Sequence, residues 1–400
     1  MSKINRLLAI FVAVLIILTT AAACNASATW ITKADGEELP VGVYICYLMD
    51  ADNEGKDKVD EDIAAQTTTS EDKEDTTEAT TEEVDYYEHK IEKKDYVEWV
   101  KDTAIQKVKE HIVIKQKCKE YKIELDDEQM ENITSLWTTN ATADGKTYGD
   151  FYEMNGISKE SFEDYLSVAY LKDELIQYYY GAEGVEPIKN EELLKNLTEN
   201  YVTTYVLSQS KTGLNEEKSS YETYPKETLD KIKAEMKDYI KRLDKKEDYT
   251  KVEADFKKSM AKVLGTKVEE STTSDVVSVE TEEAKDGEKT EEKEELKATP
   301  NVQLRDVSDE SDKIAAALKK AKTNKAGIAE SDAELMVYRK TDDLTKNPYY
   351  LDAQKATIIE ELKGDDFDKL IEKWAEELKV DVNSKAKSTY GPKDLKNFDD

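Results

Sequence analysis

The residue types that most often carry out chemistry in proteins are scarce in this sequence. Its 400 residues include two histidines, His89 and His111, and three cysteines, Cys24, Cys46 and Cys118. No CxxC, HExxH or mixed cysteine–histidine cluster occurs, so the spacing gives no zinc site, and no glycine-rich phosphate-binding loop is present. We expect His111 to pack at the edge of an apolar helix face and His89 to be exposed on a charged helix start. The sequence therefore predicts no catalytic residue, no metal site and no cofactor.

The N-terminus has the features of an export signal. Lys3 and Arg6 precede an apolar run, Leu7 to Leu18, and small residues follow it. The run is shorter than the roughly 20 residues that a membrane-spanning helix needs. Its ending, "TTAAAC", resembles the lipobox of bacterial lipoproteins, which implies that Cys24 is diacylated and becomes the mature N-terminus. We expect a signal peptide over residues 1–23 and a diacylglyceryl anchor on the outer face of the cell membrane, with secretion as the alternative.

The other two cysteines have two possible states in an exported protein. Cys46 and Cys118 could form a disulfide, because exported proteins fold under oxidising conditions. They could equally be two buried thiols that pack as small hydrophobic residues. The sequence leaves both states open.

The composition limits the range of partners. The formal net charge is −31, and 37% of the residues are charged. Such a surface repels a phosphate backbone, so we expect no nucleic-acid partner. Two tracts, residues 50–85 and 268–300, are rich in Thr, Glu and Asp and contain little that could be buried. We interpret both tracts as disordered acidic insertions.

Hydrophobic periodicity predicts helices for most of the remaining residues. One long amphipathic helix is expected over residues 86–121, and another over Lys159–Tyr180 with Ser158 as its N-cap. The other predicted helices cover residues 41–49, 126–140, 191–200, 224–242, 251–264, 309–322 and 347–380, the last with an interruption near Gly364.

The sequence predicts three strands. Tyr201–Ser210, "YVTTYVLSQS", alternates β-branched and aromatic residues in the manner of a half-buried strand. Residues 30–33 and Glu334–Lys340 are the other two strands that the sequence predicts.

This order of elements, together with the segment "NGISKESFEDYLSVAYLKDEL", resembles the PrsA and SurA families of extracytoplasmic foldases, whose helical chaperone domain is related to that of trigger factor. The resemblance implies a chaperone domain assembled from residues 24–49, 86–200 and 347–390. Between the last two segments it implies a parvulin-type prolyl isomerase domain, over residues 201–346. The implied fold class is mainly α with a smaller α+β insert.

The same resemblance implies where isomerase chemistry would lie. Active parvulin domains have one histidine in the first strand and a second in a late strand. Tyr205 stands at the first position and Leu335 near the second, and neither has a histidine close by in the sequence. The resemblance therefore implies a membrane-anchored chaperone that binds unfolded exported polypeptides without isomerase catalysis. The alternatives are an active peptidyl-prolyl isomerase with an altered pocket, and a lipoprotein that binds a solute or a cell-wall component.

Aromatic residues are the remaining candidates for binding. The chain has 23 tyrosines and 6 phenylalanines. The consecutive rings of Tyr178, Tyr179 and Tyr180 cannot share one helix face. With Trp137 they form the candidate client-binding set, since amphipathic rings suit broad and weak contacts. The alternative is that two of the three tyrosines pack in the core while the third lies on the surface. The sequence leaves open whether the chain forms a homodimer.

Overall fold

The computed structural model describes residues 30–34, 37–68, 84–215, 220–266 and 296–398. The predicted signal peptide, Cys24 and most of both acidic tracts lie outside these residues. The described chain forms two compact units, the first up to Val185 and again from Lys363, the second from Glu186 to Leu362. Helices dominate and the strands are short, so the fold class is mainly α with a smaller α+β unit.

The first unit is a helical assembly with a small sheet. Its core is formed by three helices, α1 (Val41–Thr68), α2 (Tyr96–Tyr121) and α5 (Lys159–Tyr180), whose apolar faces pack together around fully buried residues such as Tyr44, Val100 and Val108. In chain order its elements begin with β1 (Trp30–Ala34), β2 (Glu37–Pro40), α1 (Val41–Thr68), β3 (Lys90–Ile91), β4 (Lys94–Asp95), α2 (Tyr96–Tyr121), α3 (Asp127–Leu136), α4 (Tyr148–Met154) and α5 (Lys159–Tyr180).

The second unit is built on an antiparallel sheet. Its elements are α6 (Asn190–Asn200), β5 (Tyr201–Ser210), β6 (Thr212–Asn215), β7 (Ser220–Thr223), α7 (Lys226–Asp244), α8 (Tyr249–Leu264), β8 (Gln303–Asp306), α9 (Lys313–Lys320), β9 (Ala326–Glu330), β10 (Glu334–Lys340) and α10 (Asp343–Lys346). Among the described residues, the sheet has the strand order β8-β5-β10-β9. Leu207 and Val337 face α7 and α8, whereas Val202 and Met336 face α9.

The chain then returns to the first unit. The helix α11 (Tyr349–Glu377) begins in the second unit and ends in the first, and β11 (Asp381–Val382) and α12 (Ser384–Thr389) belong to the first unit. β11 pairs antiparallel with β1, with Lys33 opposite Asp381. The backbone N–H of Asn383 donates to the carbonyl of Ile31 at 2.8 Å, and its side-chain amide donates to the carbonyl of Trp30 at 3.0 Å. The first unit is therefore assembled from both ends of the described chain.

Most predicted elements are confirmed. The helix α5 has the predicted bounds, and the Ser158 side chain caps it by accepting a hydrogen bond from the backbone N–H of Ser161. Strands β5 and β10 also have the predicted bounds. The prediction of a half-buried β5 was wrong, because helices cover both sides of the sheet and six of the strand's ten residues are buried.

Other parts of the secondary-structure prediction were also wrong. The helix α1 continues to Thr68, so the first acidic tract does not begin at residue 50. Buried Ala51 and Val59, with Gly55 between them against the ring of Tyr96, continue the apolar face at a spacing of four. The composition of the tract concealed this signal.

The helix predicted over residues 86–121 begins only at Tyr96. A short 3₁₀ turn (Tyr86–Glu88) and the β3–β4 hairpin precede it. The hairpin turns at Glu92 and Lys93, which have φ values of 53° and 71° and so leave the helical region. The helix α11, in contrast, continues through Gly364 without the predicted interruption.

Candidate functional site

The residue at the first predicted isomerase position lies in a cation–π stack. Tyr205 of β5 pairs directly with Arg339 of β10, and the guanidinium carbon lies 5.0 Å from the centre of the Tyr205 ring. Tyr249 lies at the start of α8, and the centre of its ring is 5.0 Å from that of Tyr205, with an angle of 35° between the ring planes. Such contacts stabilise packing and hold the three side chains together.

The residue at the second predicted position lies elsewhere. Leu335 is fully buried in the core between the sheet and the helices α7 and α8. It shares a sheet face with Tyr205 but pairs with Gln209, at the other end of β5. A strand rises about 3.3 Å per residue, which separates Leu335 from Arg339 by about 13 Å. Leu335 and Tyr205 therefore do not face each other, and Arg339 is the residue of β10 that faces Tyr205.

This arrangement offers little acid–base chemistry near neutral pH. An arginine stays protonated, and a phenol stays neutral, under those conditions. Burial raises the pKa of Tyr249 further, and its hydroxyl donates to the backbone carbonyl of Val206. Both histidines of the chain belong to the first unit.

The three consecutive tyrosines at the end of α5 have different environments. Tyr179 and Tyr180 are buried, whereas the ring of Tyr178 is 40% exposed. Two rings in the core and one on the surface was the alternative that the sequence left open. Since a buried ring has no surface to offer a partner, Tyr178 is the member of this run that remains a candidate for client contact.

Rings from three helices form two contacting groups, and Lys117 lies over one ring of each, 5.9 Å from the centre of Tyr121 and 5.2 Å from that of Trp374. We name the two groups together the aromatic cluster: Tyr121 of α2 with Tyr178 of α5, and Tyr179 of α5 with Phe367 and Trp374 of α11. Tyr121 and Tyr178 stack with their ring centres 4.9 Å apart. Tyr179 lies 5.9 Å from Phe367 and 6.0 Å from Trp374. The sequence placed the α11 members on an apolar helix face, but it gave no signal for the pairing of Tyr121 with Tyr178, which depends on helix packing.

Trp137 lies outside the aromatic cluster. Its half-buried ring packs 5.4 Å from that of Phe162, and its carbonyl accepts a hydrogen bond from Gly149 at 2.9 Å. A Cβ atom at Gly149 would lie 2.7 Å from the indole, so the glycine permits this close approach. These contacts join the end of α3 to α4 and α5, which makes Trp137 a packing residue.

His111 is buried at the centre of a polar network, as its predicted packing role requires. The Tyr47 hydroxyl lies 3.1 Å from Nδ1 of His111, and Oδ2 of Asp164 lies 3.5 Å from Nε2. The carboxylate favours the proton on Nε2, so that the Tyr47 hydroxyl donates to Nδ1. Burial lowers the pKa of His111, which keeps the ring neutral, although Asp164 opposes this shift. His89 is half-buried rather than exposed, because its backbone joins the 3₁₀ turn to the start of α2.

The charge of Asp164 is retained by its neighbours. Burial alone would raise the pKa of this carboxyl, but His111 and Lys115 lower it to about 2. Nearby, the Tyr165 hydroxyl donates to both carboxylate oxygens of Asp50, at 2.8 and 3.0 Å. Burial raises the pKa of Asp50 more than this hydrogen bond lowers it. The network joins α1, α2 and α5 through buried polar groups, while Nε2 of His111 has no hydrogen bond of normal geometry among the described residues.

A cavity of about 560 Å³ lies in the second unit, beside β5 and α8. Another, of about 710 Å³, lies in the first unit, where His111 and Asp164 line it with charged residues of α2 and of the β1–β2 hairpin. Among the described residues, no group of three or more histidine, cysteine or acidic side chains could hold a metal ion.

Cys46 and Cys118 are free and buried, so the alternative of two buried thiols is the one that the structure shows. Burial raises the pKa of the Cys118 thiol to about 11, which makes it a weak nucleophile at neutral pH. None of the helices in the described parts of the chain combines the length and hydrophobicity that a membrane span requires.

No family model matches the chain, and no curated protein matches its sequence. Among solved structures, the chain is similar to the crystal structure of foldase protein PrsA from Streptococcus pneumoniae. The similarity covers 73% of this chain and 91% of that chain, with 16% sequence identity and a TM-score of 0.32.

Proposed function

We propose that this protein is an extracytoplasmic, membrane-anchored chaperone that binds unfolded exported polypeptides without prolyl isomerase catalysis. The observation that carries the proposal is the pairing of β1 with β11, which joins both ends of the described chain into one helical unit. The second unit, a small sheet covered by helices, lies between these segments in the sequence. The foldase resemblance of the sequence implies this same interrupted order.

The Tyr205 site supports the non-catalytic part of the proposal. A parvulin-type isomerase would present a pair of histidines beneath the proline ring, but here Tyr205 faces Arg339. The ring of Tyr249 packs against that of Tyr205 with the ring centres 5.0 Å apart. Neither a phenol nor a guanidinium exchanges protons readily near neutral pH, so these side chains serve packing in place of catalysis.

The aromatic cluster is the proposed client contact of the first unit. Tyr178 exposes part of its ring, and the ring of Tyr121 stacks against it. A partly exposed ring buries apolar area on contact with an unfolded segment and keeps its hydroxyl in water. Binding of this kind discriminates little between sequences, which suits a protein with many clients, and it needs no nucleotide.

The membrane anchor of the proposal depends on Cys24, which lies outside the described residues. Two acyl chains on one residue are enough for stable attachment. Replacing Cys24 by serine should release the protein from the membrane into the medium. Continued membrane attachment of that variant would count against a lipid anchor.

Two assays on the purified protein test the function. In the first, the protein at molar excess should suppress the aggregation of a chemically denatured protein after dilution. In the second, a protease-coupled assay with a proline peptide should show the uncatalysed isomerisation rate. Unchanged client aggregation would refute the chaperone assignment, and a rate well above the uncatalysed one would establish the isomerase alternative.

A further inference from the structure

The strand β5 changes from a central strand to an edge strand along its length. Over Tyr201–Thr204 it pairs with β8 on one side, and over Thr204–Ser210 it pairs with β10 on the other. Beyond Thr204, the side that faced β8 has no strand partner among the described residues. Edges of this kind present unpaired backbone groups, which folded proteins normally cover.

The register shows which backbone groups are open. The N–H of Thr341 donates to the carbonyl of Thr203, and the N–H of Lys211 donates to Ala333. Because neighbouring residues of a strand point their backbone groups in opposite directions, the odd-numbered residues face β10. The groups of Val206, Ser208 and Ser210 therefore face the open edge.

The Val206 carbonyl at this edge accepts a hydrogen bond from the hydroxyl of Tyr249. For Ser208, none of the described residues supplies a backbone hydrogen bond on that side. Ser208, two residues beyond Val206, therefore offers one N–H donor and one C=O acceptor with which an added strand can form hydrogen bonds.

The cavity beside β5 lies along this open edge. It has a volume of about 560 Å³ and is lined by β5 from Val206 to Gln209, by α8, and by the two β8 residues Gln303 and Arg305. Lining residues come from both faces of β5, as expected for a space at the strand's edge. We name this space the edge groove.

Two basic side chains of the described residues line the edge groove, and their polar contacts differ. Lys257 forms an ion pair with Glu253 at 2.9 Å. In contrast, Nε of Arg305 is buried and has no hydrogen-bond partner among the described residues. The neighbouring apolar side chains Phe256, Met260 and Leu264 supply the wall opposite the strand. A buried guanidinium nitrogen in this position favours a carboxylate, which returns its missing hydrogen bond.

We propose that the edge groove binds an extended polypeptide segment bearing a carboxylate side chain, which adds to the sheet beside β5 in continuation of β8. The inference rests on the proposed function, since it specifies how the second unit holds a client. The segment exchanges backbone hydrogen bonds with Ser208, places alternate side chains against α8, and directs its carboxylate to Arg305. Backbone recognition tolerates many sequences, and Arg305 adds a preference among them.

The binding test uses the full-length protein and a short fluorescent peptide that alternates valine and threonine around one glutamate. A second peptide has lysine in place of the glutamate, and a third carries N-methyl groups on alternate residues. Fluorescence anisotropy is measured near physiological salt, where the charge of the whole chain is screened beyond about 8 Å. The glutamate peptide should bind about tenfold more tightly than either of the other two.

Two protein variants test the groove directly. Ser208→Pro removes the open N–H, at an edge position where proline is tolerated, and should weaken glutamate-peptide binding about tenfold. Ser208→Ala keeps that N–H and should bind like the wild type. Arg305→Gln should abolish the preference for glutamate over lysine, whereas Lys320→Gln, an exposed charge of α9, should retain it.

Each result has a defined meaning. Equal binding of the N-methylated peptide would overturn edge pairing even if Ser208→Pro failed to fold. Concentration-dependent dimers that disappear in Ser208→Pro would show that a second copy occupies the edge and would overturn the proposal. Normal suppression of client aggregation with no peptide binding would reject the groove and leave the proposed function standing. Peptide binding without aggregation suppression would support the groove and refute the proposed chaperone function.

Discussion

The two units place their titratable side chains very differently. The first unit buries a connected network, in which His111 lies between Tyr47 and Asp164 while Asp50 accepts from Tyr165. The second unit, where the foldase resemblance would locate catalysis, has Tyr205 facing Arg339 instead. A proton-exchanging ring is thus present in the chain, but it holds helices together. The presence of a histidine therefore says little about chemistry until its neighbours in the fold are known.

The largest expected effect comes from placing an imidazole where the resemblance expects one. Leu335→His puts a polar ring into a fully buried apolar site, and we expect it to lower the free energy of unfolding by about 4 kcal/mol. Chemical denaturation measures this loss. The volume-conserving control, Leu335→Met, should cost less than about 1.5 kcal/mol. A stable Leu335→His protein with isomerase activity would remove the contrast between the units.

The next effect concerns Asp164. Its pKa is lowered to about 2 in the folded state, so its charge adds stability that is fully present above the ordinary pKa of about 4 and is lost as the pH falls through 2. The contribution is about 2 kcal/mol at most. Asp164→Asn should therefore be less stable than the wild type at neutral pH, with the difference shrinking in acid. Unfolding followed between neutral pH and pH 2 tests this, with the exposed Glu160→Gln as a control. A constant difference would contradict the assignment.

A smaller effect is expected from His111. Its pKa is lowered in the fold from an ordinary value of 6.5, so the unfolded chain binds the extra proton first. Stability from this residue is present above pH 6.5 and declines as the pH falls below it, because the unfolded chain then binds a proton that the folded chain does not. Tyr47, Asp164 and Lys115 are the groups that face the ring. Among those, Asp164 opposes the shift.

His111→Gln should flatten the stability profile between about pH 6.5 and 5.5. Thermal unfolding at closely spaced pH values measures the slope. His89→Gln serves as the matched control, because it removes the histidine that lies outside this network. If the two variants behaved alike, the network around His111 would have no special role in the pH response.

The smallest effect on stability, but a useful one for function, concerns the aromatic cluster. Tyr178→Ser removes a ring that is 40% exposed and should change the free energy of unfolding by less than about 1 kcal/mol. It should nonetheless weaken suppression of client aggregation about threefold. Tyr148→Ser, whose ring is 42% exposed outside the cluster, is the control. Equal effects of the two variants would argue against a localised client surface.

Local sequence signals predicted much of the secondary structure. The strand over Tyr201–Ser210 and the cap at Ser158 were predicted from neighbouring residues alone, and both are confirmed, although the strand is buried on both sides. The hairpin before α2 and the continuation of α1 were missed, because charged composition hid the turn and the apolar spacing. Short strands such as β8 and β9 carry too few residues for a periodic pattern, and they form only because β5 and β10 supply their partners.

The sequence by itself determined the absence of a histidine near Tyr205 and Leu335, the crowding of three adjacent tyrosines, and the acidity of the chain. Only the tertiary structure decided that Arg339 faces Tyr205, that Tyr178 is the exposed ring, and that part of β5 has one edge without a strand partner among the described residues. The physical reason is that strand register and helix packing join residues far apart in the chain. Their outcome depends on many small contacts that no local pattern records.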